Sequence, residues 1–184
     1  MSPMREMTVY GVSFDLVGKQ PIVLLKTQDG NTFLPIWIGH PEAAAILMNL
    51  QGTEPPRPMT HDLATAIIAS LDGEIRQVTV TELRENTYHA LITIVRNGTE
   101  IELDARTSDA IALALRSDAK IFAADDVIEE SGVEFEGDEE EASRRLTGHE
   151  SLADLDPHEF RRILDTVSPD EFAAEPEADP DDTP

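Results

Sequence analysis

The chain has 184 residues, 40% hydrophobic and only 5% aromatic, with a formal net charge of −23 at pH 7. That is enough for one domain with a core, plus an appendage. With no cysteine, disulfides and thiolate metal sites are excluded, and a reducing compartment suits the composition.

The charge is unevenly placed. Residues 125–184 carry 22 of the 37 acids and 4 of the 14 bases, a net −18, which leaves −5 on the first 124 residues. A protein that coats nucleic acid by neutralising phosphates shows a basic excess, so any nucleic-acid contact here is local and weak. The segment Met1-Ser2-Pro3-Met4-Arg5-Glu6 lacks the apolar core of a signal peptide. No apolar run approaches the roughly 20 residues of a membrane span. The sequence reads as a soluble, cytoplasmic protein of bacterial type.

Met7 to Val17 predicts a strand, with Thr8, Tyr10, Val12, Phe14 and Leu16 on one face. Gly18 to Pro21 is a turn. The apolar run Ile22 to Lys26 suits a strand buried on both faces. Asp29-Gly30 signals a hairpin, and Thr32 to Ile38 is the returning strand. Pro35 cannot donate a ladder hydrogen bond, so it calls for an edge or a bulge. A helix follows, with Pro41 and Glu42 in its first turn, Ala43 to Leu50 as its body and Gly52 past its end.

Pro55-Pro56-Arg57-Pro58 then makes a stiff connector, because proline fixes φ and restrains the residue before it. Thr60 reads as the N-cap of a second helix with Asp62 in its first turn. Leu63, Ala66, Ile67, Ser70 and Leu71 share one helical face, the expected buried one. Strands follow at Ile75–Leu83, Tyr88–Val95 and Glu100–Ala105, with a turn at Arg84–Thr87 and a hairpin signal at Asn97-Gly98. Thr107-Ser108-Asp109 caps a helix over Ala110–Arg116. Lys120-Ile121-Phe122 and a helical turn near Asp125–Glu130 complete the domain.

Aligning Gly30 with Gly98 lays Ile22-Val23-Leu24 over Ala90-Leu91-Ile92, and one residue of slippage lays Glu42-Ala43 over Asp109-Ala110. The expected fold is therefore α+β: a mixed sheet with helices packed on it, built from a duplicated βββα unit over residues 7–133. Residues 134–184 are expected to be an acidic, largely disordered tail. It contains a short amphipathic helix at 157–167, where Phe160, Ile163, Leu164 and Val167 recur at helical spacing. The tail reads either as a charge mimic over a nucleic-acid site or, the favoured reading, as a solubilising extension.

Several segments in order resemble the bifunctional nuclease family. They are Gly11-Val12-Ser13, Pro21 to Lys26, Leu34-Pro35-Ile36-Trp37-Ile38-Gly39, Glu42-Ala43 and Pro56-Arg57-Pro58-Met59-Thr60-His61-Asp62. In the second half they are Glu85-Asn86-Thr87-Tyr88 and Asp104 to Ala114, with Thr107 where the family usually has proline. The resemblance implies an α+β domain, hydrolysis of both RNA and DNA, and a homo-oligomer, a dimer first.

The chemistry of phosphodiester hydrolysis puts requirements on these residues. Carboxylates holding Mg2+ or Mn2+ are one solution, and no organic cofactor is called for. The candidates fall at helix starts: Glu42, His61, Asp62 and Asp109 for catalysis, Arg57 and Arg106 for phosphate, and Asp62, Asp104 and Asp109 for a metal. Each also has a plain structural role open to it. Glu42, Asp62 and Asp109 sit where a carboxylate stabilises a helix dipole, His61 can be a satisfied structural histidine, and Arg57 or Arg106 can pair with Asp62 or Asp104. Trp37 and Tyr88 can stack on a base, but Ile36 and Ile38 beside Trp37 favour the core. Two functions follow: a low-specificity nuclease, or a non-catalytic oligomeric protein that binds an anion or a partner at the polar connector.

Overall fold

The computed structural model describes residues 3–15 and 20–134. In chain order these form β1 (Met4–Asp15), β2 (Gln20–Thr27), β3 (Thr32–Trp37), α1 (His40–Leu50), α2 (Thr60–Ser70), β4 (Gly73–Arg84), β5 (Thr87–Arg96) and β6 (Thr99–Arg106). Helix α3 (Thr107–Ser117), β7 (Lys120–Ala124), α4 (Asp125–Ser131) and β8 (Val133–Glu134) complete the series. Part of the turn expected at Gly18–Pro21, and the acidic tail with its helix at 157–167, lie outside the described residues. Glu134, expected to open that tail, instead pairs with Thr32 in β8.

The strands form one mixed sheet in the order β6-β5-β4-β7-β1-β2-β3-β8. Strands β1, β2 and β3 are an antiparallel meander followed by α1. Strands β4, β5 and β6 are a second one followed by α3. The two halves share one strand order, as the duplicated unit requires. Strand β7 is the seam, antiparallel to β1 and parallel to β4. A parallel neighbour needs a long crossover, and β5, β6 and α3 supply it.

Local chemistry accounts for the turns. Asn97 and Gly98 have φ of +50° and +76°, as the tight two-residue hairpin between β5 and β6 requires. Glu85 and Asn86 do the same between β4 and β5, with φ of +50° and +58°. Pro35 pairs with Leu24 on β2, while β8 reaches only Thr32 and Phe33. Pro35 thus stands on an edge stretch, where its missing N–H breaks no ladder.

The core is aliphatic apart from Phe33: Val12, Ile22 to Leu25, Leu34, Ile46, Leu47, Val78, Val80 and Ile111 are all buried with it. Buried alanines, Ala43 and Ala45 on α1 and Ala110, Ala112 and Ala114 on α3, suit close approach of these two packed helices. Helix α4 touches β3, β4 and β7. Strands β3 and β4 stand four places apart in the sheet, about 19 Å if it were flat, whereas a helix is about 10–12 Å across. The sheet therefore curls, and the curl brings the ends of β3 and β5 to one cleft.

Helix α2 departs from expectation. None of its residues is fully buried. The face predicted to pack is the one that points out, with Leu63 54%, Ile67 49% and Leu71 55% exposed. The half-buried side is His61, Asp62, Ala64, Thr65 and Ile68. The physical reason is that His61 and Asp62 find charged partners on α3, and that orientation carries the apolar stripe outward.

Candidate active site

Three helix starts supply the cluster. Helix α1 begins after Gly39, with Pro41 in its first turn and φ −75° at the glycine. A Cβ at Gly39 would lie 2.2 Å from Oε2 of Glu42, so the Glu42 carboxylate folds back over the glycine into a space that a side chain would fill. Helix α2 begins at Thr60, not after it. Its cap residue is Met59, whose N–H donates to Oδ2 of Asp62 at 2.7 Å. Helix α3 follows directly on β6. Thr107, expected to cap it, is its first residue, and its hydroxyl donates to the carbonyl of Tyr88 at 3.0 Å, tying the helix start to β5.

Four of the predicted residues form one network. His61 Nε2 donates to Asp109 Oδ1 at 2.9 Å. Arg106 donates to both oxygens of the same carboxylate, Nε to Oδ2 at 2.8 Å and Nη2 to Oδ1 at 3.2 Å. Arg106 Nη2 also lies 2.8 Å from Glu42 Oε1. Glu42 and His61 are largely enclosed, whereas the Arg106 side chain is 68% exposed. The guanidinium thus has its inner edge on two carboxylates and Nη1 turned to neither, which leaves a donor for a phosphate oxygen.

The electrostatics follow from these contacts. Burial pushes the Asp109 carboxyl up, but the hydrogen bonds from Arg106 and His61 outweigh it and hold it below the ordinary value of 3.8. The Asp109 hydrogen bond raises Arg106 further, partly offset by burial, with Glu42 adding to the effect. Because a carboxylate only accepts, Nε2 of His61 is the donor, and Nδ1 is the nitrogen left to exchange a proton with a substrate.

Asp62 is turned elsewhere. Arg116 Nε donates to its Oδ1 at 2.5 Å, and Arg116 also donates to the carbonyls of Ala112 at 3.0 Å and Ala45 at 3.1 Å. The Arg116 side chain is only 8% exposed, so this pair fastens α1, α2 and α3 together. Asp104 stands on β6, an exposed edge strand, opposite Leu91. Arg57 lines a cavity of about 460 Å³ under the proline connector, together with Asp62 and Arg116. Asp62, Asp104 and Asp109 therefore do not form one group. Among the described residues no three His, Asp or Glu side chains are placed to hold a metal ion.

Two residues escape a linear reading. Arg116 lies seven residues after Asp109, two helical turns on and so on the same face; that spacing was the available signal. Trp37, expected in the core, is 50% exposed at the end of β3, while its neighbours Ile36 and Ile38 are buried. Strand alternation carried that signal.

No helix among the described residues is long and apolar enough to cross a membrane. In sequence comparison, the bifunctional nuclease domain matches residues 23–136. An uncharacterized protein of Mycobacterium tuberculosis, found in two strains, is 38% identical over 171 residues, covering 93% of this chain and 99% of the relative. The match takes in both βββα halves from β2 onward and all the residues of the His61–Asp109–Arg106–Glu42 network, and on this ground the chain belongs to the bifunctional nuclease domain family.

Proposed function

We propose that the protein is a low-specificity phosphodiester hydrolase acting on RNA and DNA at the His61–Asp109–Arg106–Glu42 network. The observation that supports this reading is the 2.9 Å contact of His61 with Asp109, a carboxylate that Arg106 also grips. Asp109 orients the imidazole and stabilises its cation, as the carboxylate of a histidine dyad does. Arg106 binds the phosphate through Nη1, assisted by the start of α3. Glu42 holds Arg106 in place.

The charge of the cluster assigns the direction of proton transfer. With His61 neutral, Glu42, Asp109 and Arg106 sum to −1; with it protonated they sum to zero. An anionic phosphate is accommodated best in the second state. His61 then donates its Nδ1 proton to the leaving oxygen as water bonds to phosphorus and the ester P–O bond breaks, and the surplus proton of that water returns to Nδ1. A cluster that is neutral even with His61 protonated attracts an anionic strand little, which accords with weak, local binding in a chain of net charge −23.

The remaining parts of the proposal are a cytoplasmic setting, supported by the absence of cysteine, and a homo-oligomer, a dimer first, joined through the exposed Leu63 and Ile67 of α2 and Leu71 just past its end. The test is cleavage of single- and double-stranded RNA and DNA by purified protein, with EDTA and with added Mg2+, beside His61→Ala and Asp109→Asn. Cleavage that is undiminished in both variants would assign the activity to a contaminant.

A second reading, a non-catalytic protein that binds an anion at the connector, is favoured by one observation. The cavity of about 460 Å³ is lined by two arginines, Arg57 and Arg116. Absence of cleavage by the folded protein, together with phosphate-dependent stabilisation abolished by Arg57→Ala, would decide for it.

A further inference from the structure

Resting on that reading of the network, we propose that the cleft between Trp37 and Tyr88 is a nucleobase subsite, so that the substrate is single-stranded nucleic acid with at least one unpaired base beside the scissile phosphate. Trp37 lies at the end of β3, beyond the reach of β8, and is half exposed. A cavity of about 380 Å³ has Trp37 on its wall together with Arg106, Thr107 and Ser108. A second of about 670 Å³ shares Trp37, Tyr88, Asn86 and Gln20 with it. Both fall within the roughly 300–1,000 Å³ of small-ligand sites.

The lining chemistry singles out the ligand. Among the described residues neither cavity is lined by an Asp or Glu, and Arg106, on the wall of the smaller one, is the one charged residue lining them. The connector cavity, by contrast, has Glu54 and Asp62 on its wall. A group that carries one negative charge and one flat apolar face matches this distribution, and a nucleotide is such a group. The indole supplies the stacking surface, and the amides of Asn86 and Gln20 can meet the edges of a base. Arg106 and the first turn of α3 face the phosphate. Burial pushes the Tyr88 phenol above 10.0, a Ser131 hydrogen bond partly offsetting this, so it stays neutral and adds no negative charge to the cleft.

Duplex bases are stacked on each other and cannot lie on Trp37. The subsite therefore selects unpaired strands and is indifferent to the sugar, which agrees with action on both RNA and DNA. Base identity is read weakly, because every base presents a π-face.

The protein contains one tryptophan, so its emission reports this position alone. The experiment titrates the full chain with an eight-residue thymidine oligonucleotide, with an abasic strand of the same length and with a blunt duplex. Affinity is measured in parallel for Trp37→Phe and Trp37→Ala by anisotropy of labelled strands. Quenching by the thymidine strand alone, with about tenfold weaker binding in Trp37→Ala and near-normal binding in Trp37→Phe, supports the subsite. Equal binding of the abasic strand, or no quenching by any strand, overturns it. Cleavage by the wild-type protein and by His61→Ala, measured separately, tests the hydrolytic reading. A base subsite lost with His61-dependent cleavage intact, and the reverse, are thus distinct results.

Discussion

Arg116 reaches from the last turn of α3 to Asp62 in the first turn of α2, Nε to Oδ1 at 2.5 Å, and this contact separates the two neighbouring polar residues of α2 into different roles. Consecutive helical residues point about 100° apart. His61 turns to Asp109 at one end of α3 and Asp62 to Arg116 at the other. Asp62 therefore serves the packing of three helices, and His61 serves the cluster. Asp62→Ala leaves the enclosed Arg116 cation without its counter-charge. A loss of about 2 kcal/mol is expected, below the range for a fully buried pair because Asp62 is partly open, with a fall in Tm of about 4–8 °C. Calorimetry checks this. At a temperature where the variant is folded its cleavage should stay within about threefold of wild type, and a hundredfold loss there would return Asp62 to the chemistry.

His61→Ala and Asp109→Asn are expected to reduce cleavage by about 10²-fold or more, the scale of a lost proton-transfer group. The double variant should be little worse than His61→Ala alone, because the two residues act as one unit. Multiplicative losses in single-turnover assays would show that they act independently.

Gly39 makes room for Glu42. In Gly39→Ala the new methyl, at 2.2 Å from Glu42 Oε2 in the present arrangement, displaces the carboxylate from Arg106. The backbone is untroubled, since φ is −75°. Cleavage is expected to fall about tenfold, as in Glu42→Gln, with stability changed by less than about 1 kcal/mol. Wild-type rates in Gly39→Ala would mean that Glu42 does not hold Arg106 in the active form.

Acid should weaken the fold through the same contacts. Asp62 is held below 3.8 first by the Arg116 hydrogen bond and then by the Met59 N–H, and the net shift of Asp109 is in the same direction. A carboxyl with a depressed folded value contributes its full stability above its unfolded value. That contribution is lost as pH falls through the folded value. Tm should therefore drop as pH falls below about 4, and Asp62→Asn should flatten that part of the curve. An unchanged slope in this variant would remove the ion pair from the account.

The stripe of Leu63, Ile67 and Leu71 is open along α2. Sedimentation of the wild-type chain should give a mass above that of a monomer, and Ile67→Asp should return it to monomer with the fold intact. A monomeric wild type at micromolar concentration would discard this face as an interface.

Local chemistry was sufficient for the elements and their order. The turn dipeptides Asn97-Gly98 and Glu85-Asn86, the prolines at 41 and 55–58, and the period-two and helical patterns are short-range properties, and β1 to α4 follow them within a few residues. The likeness of the two βββα halves was legible for the same reason, since each hairpin carries its own signal. Which residues meet was decided by the tertiary structure. The apolar stripe of α2 identified that helix correctly but misjudged its inward face, because partners on α3, far along the chain, outweigh the packing of three side chains. Capping position places Asp62 at a helix start but not the Arg116 that meets it there, and flanking isoleucines place Trp37 in the core, whereas the sheet ends at a β8 too short to cover it. A residue's neighbours along the chain set its conformation. Its role depends on groups brought near by the curl of the sheet and the crossing of the helices, and periodicity and capping patterns carry no record of those distances.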